Sequence, residues 1–135
     1  MELSDGTTLF DTDAMLNHIS RSNPEANLTG TTVFEGAKVN EWMGWCQNEW
    51  LPKMHGPLMP LLGFGPPDQK KFTEGVKVTK ELAKVFNNYL NGNNWIAGKS
   101  MTIADLYVGT MFMLSFQTVF DDGFRKAMPH LTKWF

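Results

Sequence analysis

The sequence contains a single cysteine, Cys46, among 135 residues, so no disulfide can form within the chain. Its longest uncharged run, residues 106–120, includes polar side chains and is shorter than the roughly 20 apolar residues of a membrane-spanning helix. The N-terminus has no basic segment followed by an apolar one, so we expect no secretory signal. These absences are compatible with a reducing compartment, either the cytoplasm or the interior of an organelle.

Motifs of common active sites are also missing. The histidines His18, His55 and His130 lie far apart, and no cysteine or carboxylate is spaced to complete a metal site with them. There is no Gly-x-Ser-x-Gly motif, and residues 63–67 place prolines where a phosphate-binding loop needs free amides. We therefore expect neither a hydrolase nor a nucleotide site, and no metal or other cofactor.

Charge is sparse and only mildly uneven along the chain. Eight acidic and three basic residues lie in 1–67, six acidic and nine basic residues lie in 68–135, and the net charge is −2. A nucleic-acid-binding domain usually carries a concentrated basic face, which this distribution does not provide. We expect protein partners and no direct contact with nucleic acid.

The apolar content indicates one folded domain, since 42% of the residues are hydrophobic and ten Phe and five Trp are present. The clearest helix signal is a capping box, in which Thr102 and Asp105 each accept a hydrogen bond from the backbone amide of the other. Met101 can then pack on Leu106 as a hydrophobic staple. The pattern predicts a buried helix over 101–120.

A second capping pattern, Thr-x-x-Glu at 32–35, predicts a helix whose Trp42 and Trp45 we expect in the core. Pro52 is expected to end this helix. Five prolines and three glycines between residues 52 and 67 exclude a regular helix there. We interpret 52–67 as a shaped connection and a candidate partner surface.

A further helix is predicted from Asp68 to the region of Gly92, where a glycine suits the left-handed residue after a helix end. One face of this helix carries four lysines: Lys70, Lys77, Lys80 and Lys84. Glu74 and Glu81 are spaced to pair with them. The lysines are therefore either a solvated face or a docking site for an acidic partner.

Both ends of the chain carry turn and cap signals. Asp5-Gly6 is a turn signal followed by β-prone residues, which predicts a hairpin or the last strand of a small sheet. Asp11 or Thr12 can cap a short helix that ends near Pro24. Residues 124–135 predict a short helix, a break at Pro129 and the start of another helix.

Residues 95–106, Trp-Ile-Ala-Gly-Lys-Ser-Met-Thr-Ile-Ala-Asp-Leu, resemble the F-L-x-G-x-x-x-T-x-A-D signature of the glutathione S-transferase C-terminal domain. Residues 5–15 resemble the last strand of that superfamily's thioredoxin-like half and the E-S-x-A-I helix start that holds the γ-glutamyl group of glutathione. Residues 30–42, 51–63 and 124–135 resemble the elongation factor 1-gamma branch.

The resemblance implies a mainly α fold in three parts. Residues 1–24 would be the remnant of the thioredoxin-like domain, 25–30 a linker, and 31–135 the helical transferase C-terminal-like bundle. The strand with the thiol-activating residue and the cis-proline of working transferases have no counterpart in the chain. Of the glutathione contacts only Asp11 and Thr12 are left, either as a weak remnant of the glutathione site or simply as the cap of their helix.

For function, the resemblance implies a noncatalytic, cytoplasmic interaction or scaffold module, a subunit of a complex like the one that contains elongation factor 1-gamma. One alternative is a fragment of an active glutathione S-transferase whose N-terminal half supplies the missing residues. Another is a transferase-derived structural subunit recruited into a large assembly.

Overall fold

The computed structural model describes residues 1–135 and contains seven α-helices, joined by turns and by two longer connections, 23–32 and 90–102. The helices are α1 Thr12–Ser22, α2 Val33–Trp45, α3 Leu51–Leu58, α4 Gln69–Tyr89, α5 Ile103–Thr118, α6 Asp122–Ala127 and α7 Pro129–Trp134. A π-helical turn, Cys46–Trp50, joins α2 to α3, and 3-10 turns cover Pro24–Ala26 and Met59–Leu62. The prediction of a mainly α fold is confirmed.

Residues 1–11 form a turn where a hairpin or strand was predicted. One antiparallel bridge joins Glu2 to Thr8, and Gly6, with φ +84°, lies in the turn between them. Two short strands alone are only marginally stable in water, and no third strand pairs with them here. The predicted hairpin is therefore reduced to its turn and a single bridge.

The prediction that Pro52 ends a helix is wrong, and α3 covers the first part of the predicted connection 52–67, although no regular helix runs through the whole segment. The chain continues through the π-helical turn into α3, which has Pro52 in its first turn and Pro57 near its end. In the π-helical turn the Leu51 amide donates to the carbonyl of Cys46, five residues back. Proline is tolerated in the first turn that follows, because the N–H it lacks is not needed there.

Aromatic side chains from four elements meet in the core. The buried Trp50 stacks on Phe112, with ring centroids 3.7 Å apart and planes inclined by 7°. Trp42 is also buried, and its ring centroid lies 4.2 Å from that of Tyr89, whereas Trp45 is partly buried and packs against the core. Burying a large apolar side chain stabilises a fold by about 2–3 kcal/mol, so these rings make a large contribution to the stability of the bundle.

The central helix, α5, is two residues shorter at each end than predicted. Apolar residues are spread around it, in keeping with a position inside the bundle. The amide of Ile103 donates to the carbonyl of Leu28 at 2.9 Å, which ties the segment before α2 to the start of α5. No helix in the structure combines the length and the apolar character required to cross a membrane.

The two short helices at the C-terminal end separate where the break at Pro129 was predicted. The Asn87 side chain, from α4, accepts hydrogen bonds from two backbone amides in the first turn of α7, at 3.1 Å each. Arg125, from α6, donates to the carbonyl of Phe116 in the last turn of α5 and to that of Phe120 just after it. Side chains from other elements thus satisfy the backbone groups that these helix ends leave free.

Candidate functional site

The N-terminus of α1 carries the two residues that resemble the remnant of a glutathione site. Asp11 is the N-cap, and its Oδ1 accepts a hydrogen bond from the amide of Ala14 at 2.9 Å. Thr12 is the first residue of the helix, and its side chain is exposed. The amides at such a helix end favour an anionic group, and here the Asp11 carboxylate already supplies one.

A cluster of polar side chains lies where α1 meets the π-helical turn and α5. Oδ1 of Asp13 is shielded from solvent and has no hydrogen-bond partner. Burial raises the pKa of Asp13, the charge of Asp11 raises it further, and the nearby polar Gln47 side chain opposes this rise to a smaller extent. Burial also raises the pKa of Tyr107, and Gln47 again acts in the opposite direction.

Cys46 belongs to the same cluster and is fully buried. Burial, with a smaller contribution from the charge of Asp13, raises the pKa of its thiol to about 12. The thiol is therefore protonated and unreactive at neutral pH. Sequence reasoning missed the cluster because its members come from three separate segments and match no motif. No group of three or more His, Cys, Asp or Glu side chains is placed to hold a metal ion.

The buried Asp105 carboxylate accepts four hydrogen bonds. Its Oδ2 accepts from the amide of Thr102 at 2.9 Å and from the Thr102 hydroxyl at 3.1 Å, within the capping box of α5. Its Oδ1 accepts from the amide of Ile96 at 2.9 Å and from Nε1 of Trp134 at 2.8 Å. The last two bonds were not predicted, and through them Asp105 joins α5 to the preceding loop and to α7.

The residues proposed as a hydrophobic staple lie at the surface. Met101 and Leu106 are 41% and 49% exposed. They line one shallow depression on the outer side of α5, together with Met113 and Phe135. Their packing on each other stays a prediction.

One lysine of α4 is held by a partner from another helix. Nζ of Lys80 lies 2.8 Å from a carboxylate oxygen of Asp121, which is the N-cap of α6. The same Nζ lies 5.0 Å from the ring centroid of Phe124. The hydrogen bond from Lys80 is the main reason that the pKa of Asp121 falls to about 2. Lys80 therefore joins α4 to α6 and is not a free cation.

The other three lysines of this face differ in their surroundings. Lys84 pairs with Glu81 at 2.8 Å, as its spacing allows. Lys70 and Lys77 are exposed and form no ion pair, and Glu74 pairs with neither of them. The cations that stay available to a partner therefore lie in the N-terminal half of α4.

A groove of 720 Å³ lies between α3 and the start of α4. Leu61 and Phe64 line it and are 52% and 69% exposed. The two helices approach closely beside it, because a Cβ atom on Gly75 would lie 2.4 Å from Cγ of Pro57. The glycine therefore permits a helix contact that no larger residue would allow without movement.

These features together define the helical half of a transferase-like fold, with a capped central helix and a short helix packed on it. A sequence profile of the family "Glutathione S-transferase, C-terminal domain" matches residues 42–135, and the chain belongs to this family. The GST-like domain of elongation factor 1-gamma from Saccharomyces cerevisiae has the same fold, with a TM-score of 0.88 and 18% sequence identity. That match covers 99% of this chain and 64% of the other.

The chain is similar in sequence both to glutathione S-transferase-like proteins and to elongation factor 1-gamma proteins. Glutathione S-transferase-like protein LUC7 from Fusarium sp is 27% identical over 135 residues, which cover 99% of this chain and 62% of LUC7. Probable elongation factor 1-gamma 2 of Arabidopsis thaliana is 26% identical over 127 residues, which cover 94% of this chain and 31% of that protein. The chain thus spans less than two thirds of either relative.

Proposed function

We propose that this chain is a noncatalytic protein-interaction module, a subunit of a multiprotein complex with a scaffold role like that of elongation factor 1-gamma in translation elongation. The observation that carries the proposal is the exposure of large apolar side chains in two short segments. Val33 and Phe34 are 94% and 70% exposed, and Leu61, Leu62 and Phe64 are 52%, 52% and 69% exposed. Adjoining exposed apolar side chains are typical of surfaces that bind other proteins.

The arrangement at the start of α1 supports the same proposal. Asp11 already caps its own helix, and the exposed hydroxyl of Thr12 is the only other side chain of the glutathione-site remnant. A single helix end with these two groups is a weak anchor for a tripeptide. We propose that Asp11 and Thr12 are structural residues here.

We also propose the division into a thioredoxin-like remnant over 1–24, a linker over 25–30 and a helical domain over 31–135. Leu16 of α1 packs against the helical core, and the carbonyl of Leu28 accepts from α5. Because these contacts join the remnant and the linker to the helical domain, we propose that the three segments fold together as one cooperative unit.

Titration calorimetry of the 135-residue chain with reduced glutathione tests the noncatalytic proposal. We expect no binding, or a dissociation constant in the millimolar range, because the helix end provides few contacts. A micromolar dissociation constant would overturn the proposal. An active glutathione S-transferase is the positive control, and loss of such micromolar binding in Asp11→Asn would locate the site at α1.

The alternative function, part of an active glutathione S-transferase, is favoured by relatives such as LUC7 and by solvent access to Thr12. In that case an N-terminal half outside these residues would supply the thiol-activating group. The mass and composition of the native species in the source cells discriminate between these functions. If the chain is a scaffold, we expect it in a cytoplasmic complex with other proteins. The same result is expected if it is a transferase-derived subunit recruited into a large assembly. A species made only of transferase chains would favour the enzyme.

A further inference from the structure

We propose that the groove between α3 and α4 binds an acidic, amphipathic segment of a partner protein. This inference rests on the interaction function proposed above and assigns it to one surface and one kind of ligand.

The groove offers apolar side chains in a rigid setting. Its apolar lining includes these residues: Pro57, Pro60, Phe64, Pro66, Pro67 and Phe72. Gly63 and Gly65, with φ of +84° and +99°, form the turn that carries Phe64 outward. Proline rings have almost no conformational freedom to lose, so binding to this wall costs little side-chain entropy.

The charge around the groove is positive. Lys71 lines it, and Lys53 and Lys70 are exposed on the two helices that form its walls. Between residues 52 and 72 there are three lysines and one aspartate, so the net charge is +2, with His55 taken as neutral, in a chain of net charge −2. A partner segment with negative charge complements this surface.

The one carboxylate at the groove is already engaged. Oδ1 of Asp68 accepts hydrogen bonds from the amides of Lys70 and Lys71 at 3.0 Å each, and so caps α4. Its contact with Nζ of Lys71 is long, at 3.8 Å. Lys53 and Lys70 form no ion pair at all. The charges of Lys53 and Lys70 are therefore available to a ligand, and that of Lys71 is held only by one long, exposed contact.

The shape of the groove favours a helical or extended peptide over a small molecule. Its wall combines the C-terminal half of α3, the 3-10 turn, the irregular segment 63–68 and the first turn of α4. An amphipathic peptide can place apolar anchors at helical spacing on such a surface and keep its charged face toward the rim. Acidic residues on that face would meet the lysines.

Selection from a library of random 16-residue peptides tests the proposal with a defined probe. The 135-residue chain is the target, and sequences that also bind the Leu61→Ser/Phe64→Ser variant are removed. We expect the remaining peptides to be rich in Glu and Asp and to carry apolar residues three or four positions apart. Peptides that are neutral or basic, or no peptides that distinguish the two proteins, would overturn the proposal.

Fluorescence anisotropy with a selected peptide then measures the apolar contribution. We expect Leu61→Ser/Phe64→Ser to weaken binding by about tenfold or more, since both side chains would serve as anchors. Leu106→Ser/Met113→Ser also replaces two exposed apolar side chains with serine, on the exposed side of α5, and is expected to leave binding within about twofold. Circular dichroism checks that each variant is folded. Equal losses in the two variants would count against the groove.

The charge contribution has its own matched pair. Lys70→Glu/Lys71→Glu is expected to weaken binding by about tenfold at low salt and to reduce its salt dependence. Lys99→Glu/Lys126→Glu changes the net charge equally at exposed positions that do not line the groove, and is expected to have a much smaller effect. Identical effects of the two pairs would overturn the assignment of Lys70 and Lys71 as the groove residues that attract an acidic partner.

A second copy of this chain is the other possible occupant of the groove that the experiment can identify. If the wild-type chain sediments as a dimer and Leu61→Ser/Phe64→Ser makes it monomeric, then a second copy covers the groove and the peptide proposal is wrong. Failure of the groove would leave the noncatalytic proposal intact, because that proposal depends on the glutathione titration.

Discussion

Replacing Asp105 with alanine measures how much stability one buried carboxylate provides. The change removes the acceptor of four hydrogen bonds and leaves the amides of Ile96 and Thr102 and Nε1 of Trp134 without their partner. A buried donor left without a partner costs about 1–3 kcal/mol. The Trp134 contact is only partly buried, so water can replace part of it, and we expect a total loss of about 3–5 kcal/mol.

Urea and thermal unfolding followed by circular dichroism provide the assay. A loss of this size would lower Tm by about 10 °C or more in a domain of this length. Asp122→Ala is the control, because Asp122 is exposed in the first turn of α6, and we expect a change within about 0.5 kcal/mol. If the losses in the free energy of unfolding caused by Asp105→Ala and by the control differ by less than about 1 kcal/mol, the four hydrogen bonds do not stabilise the chain as argued.

A double-mutant cycle with Trp134→Phe isolates the bond that joins α5 to α7. Phenylalanine keeps most of the ring contacts and removes the Nε1 donor. We expect a coupling energy of about 1 kcal/mol between the two sites. A coupling near zero would show that the 2.8 Å contact adds nothing to the other three hydrogen bonds.

Two further predictions concern helix contacts. Gly75→Ala should destabilise the chain by about 1–2 kcal/mol in urea unfolding, because its Cβ would lie 2.4 Å from Pro57; Gly44→Ala, with no atom within 4 Å, should be neutral or stabilising. Hydrogen bonds, first that from Lys80 and then that from the Phe124 amide, lower the pKa of Asp121 from 3.8 to about 2. The stabilisation that the ionised Asp121 carboxylate provides is therefore full above about pH 4 and lost as pH falls toward about 2. Urea unfolding across this range should show a smaller loss in Asp121→Asn than in the wild type, and equal losses would contradict the assignment.

Features that depend on neighbours within about four residues were open to prediction from the sequence. The capping box at Thr102, the left-handed Gly92 and the break at Pro129 are of this kind, and the structure has all three. Their signals are local because a cap or a turn is completed by side chains and amides close along the chain. At the candidate site, Asp11 was predictable as a helix cap for the same reason.

The error at Pro52 shows where local reasoning fails. Proline disfavours the interior of an isolated α-helix, but a π-helical turn shifts the hydrogen-bond pattern so that Pro52 lies in the first turn of α3. Packing of Pro57 against Gly75 then places α3 on α4. Neither the turn nor the contact has a signature within the segment itself.

The sequence by itself determined the helical class, the family resemblance and the local caps, because helix periodicity and capping depend on residues that are close along the chain. Only the tertiary structure decided which distant groups meet. It brought Asp105 to Trp134, 29 positions away, Lys80 to Asp121, 41 positions away, and Asn87 to the start of α7. It also assembled the groove from α3 and α4, because a surface of that kind exists only after the helices have packed.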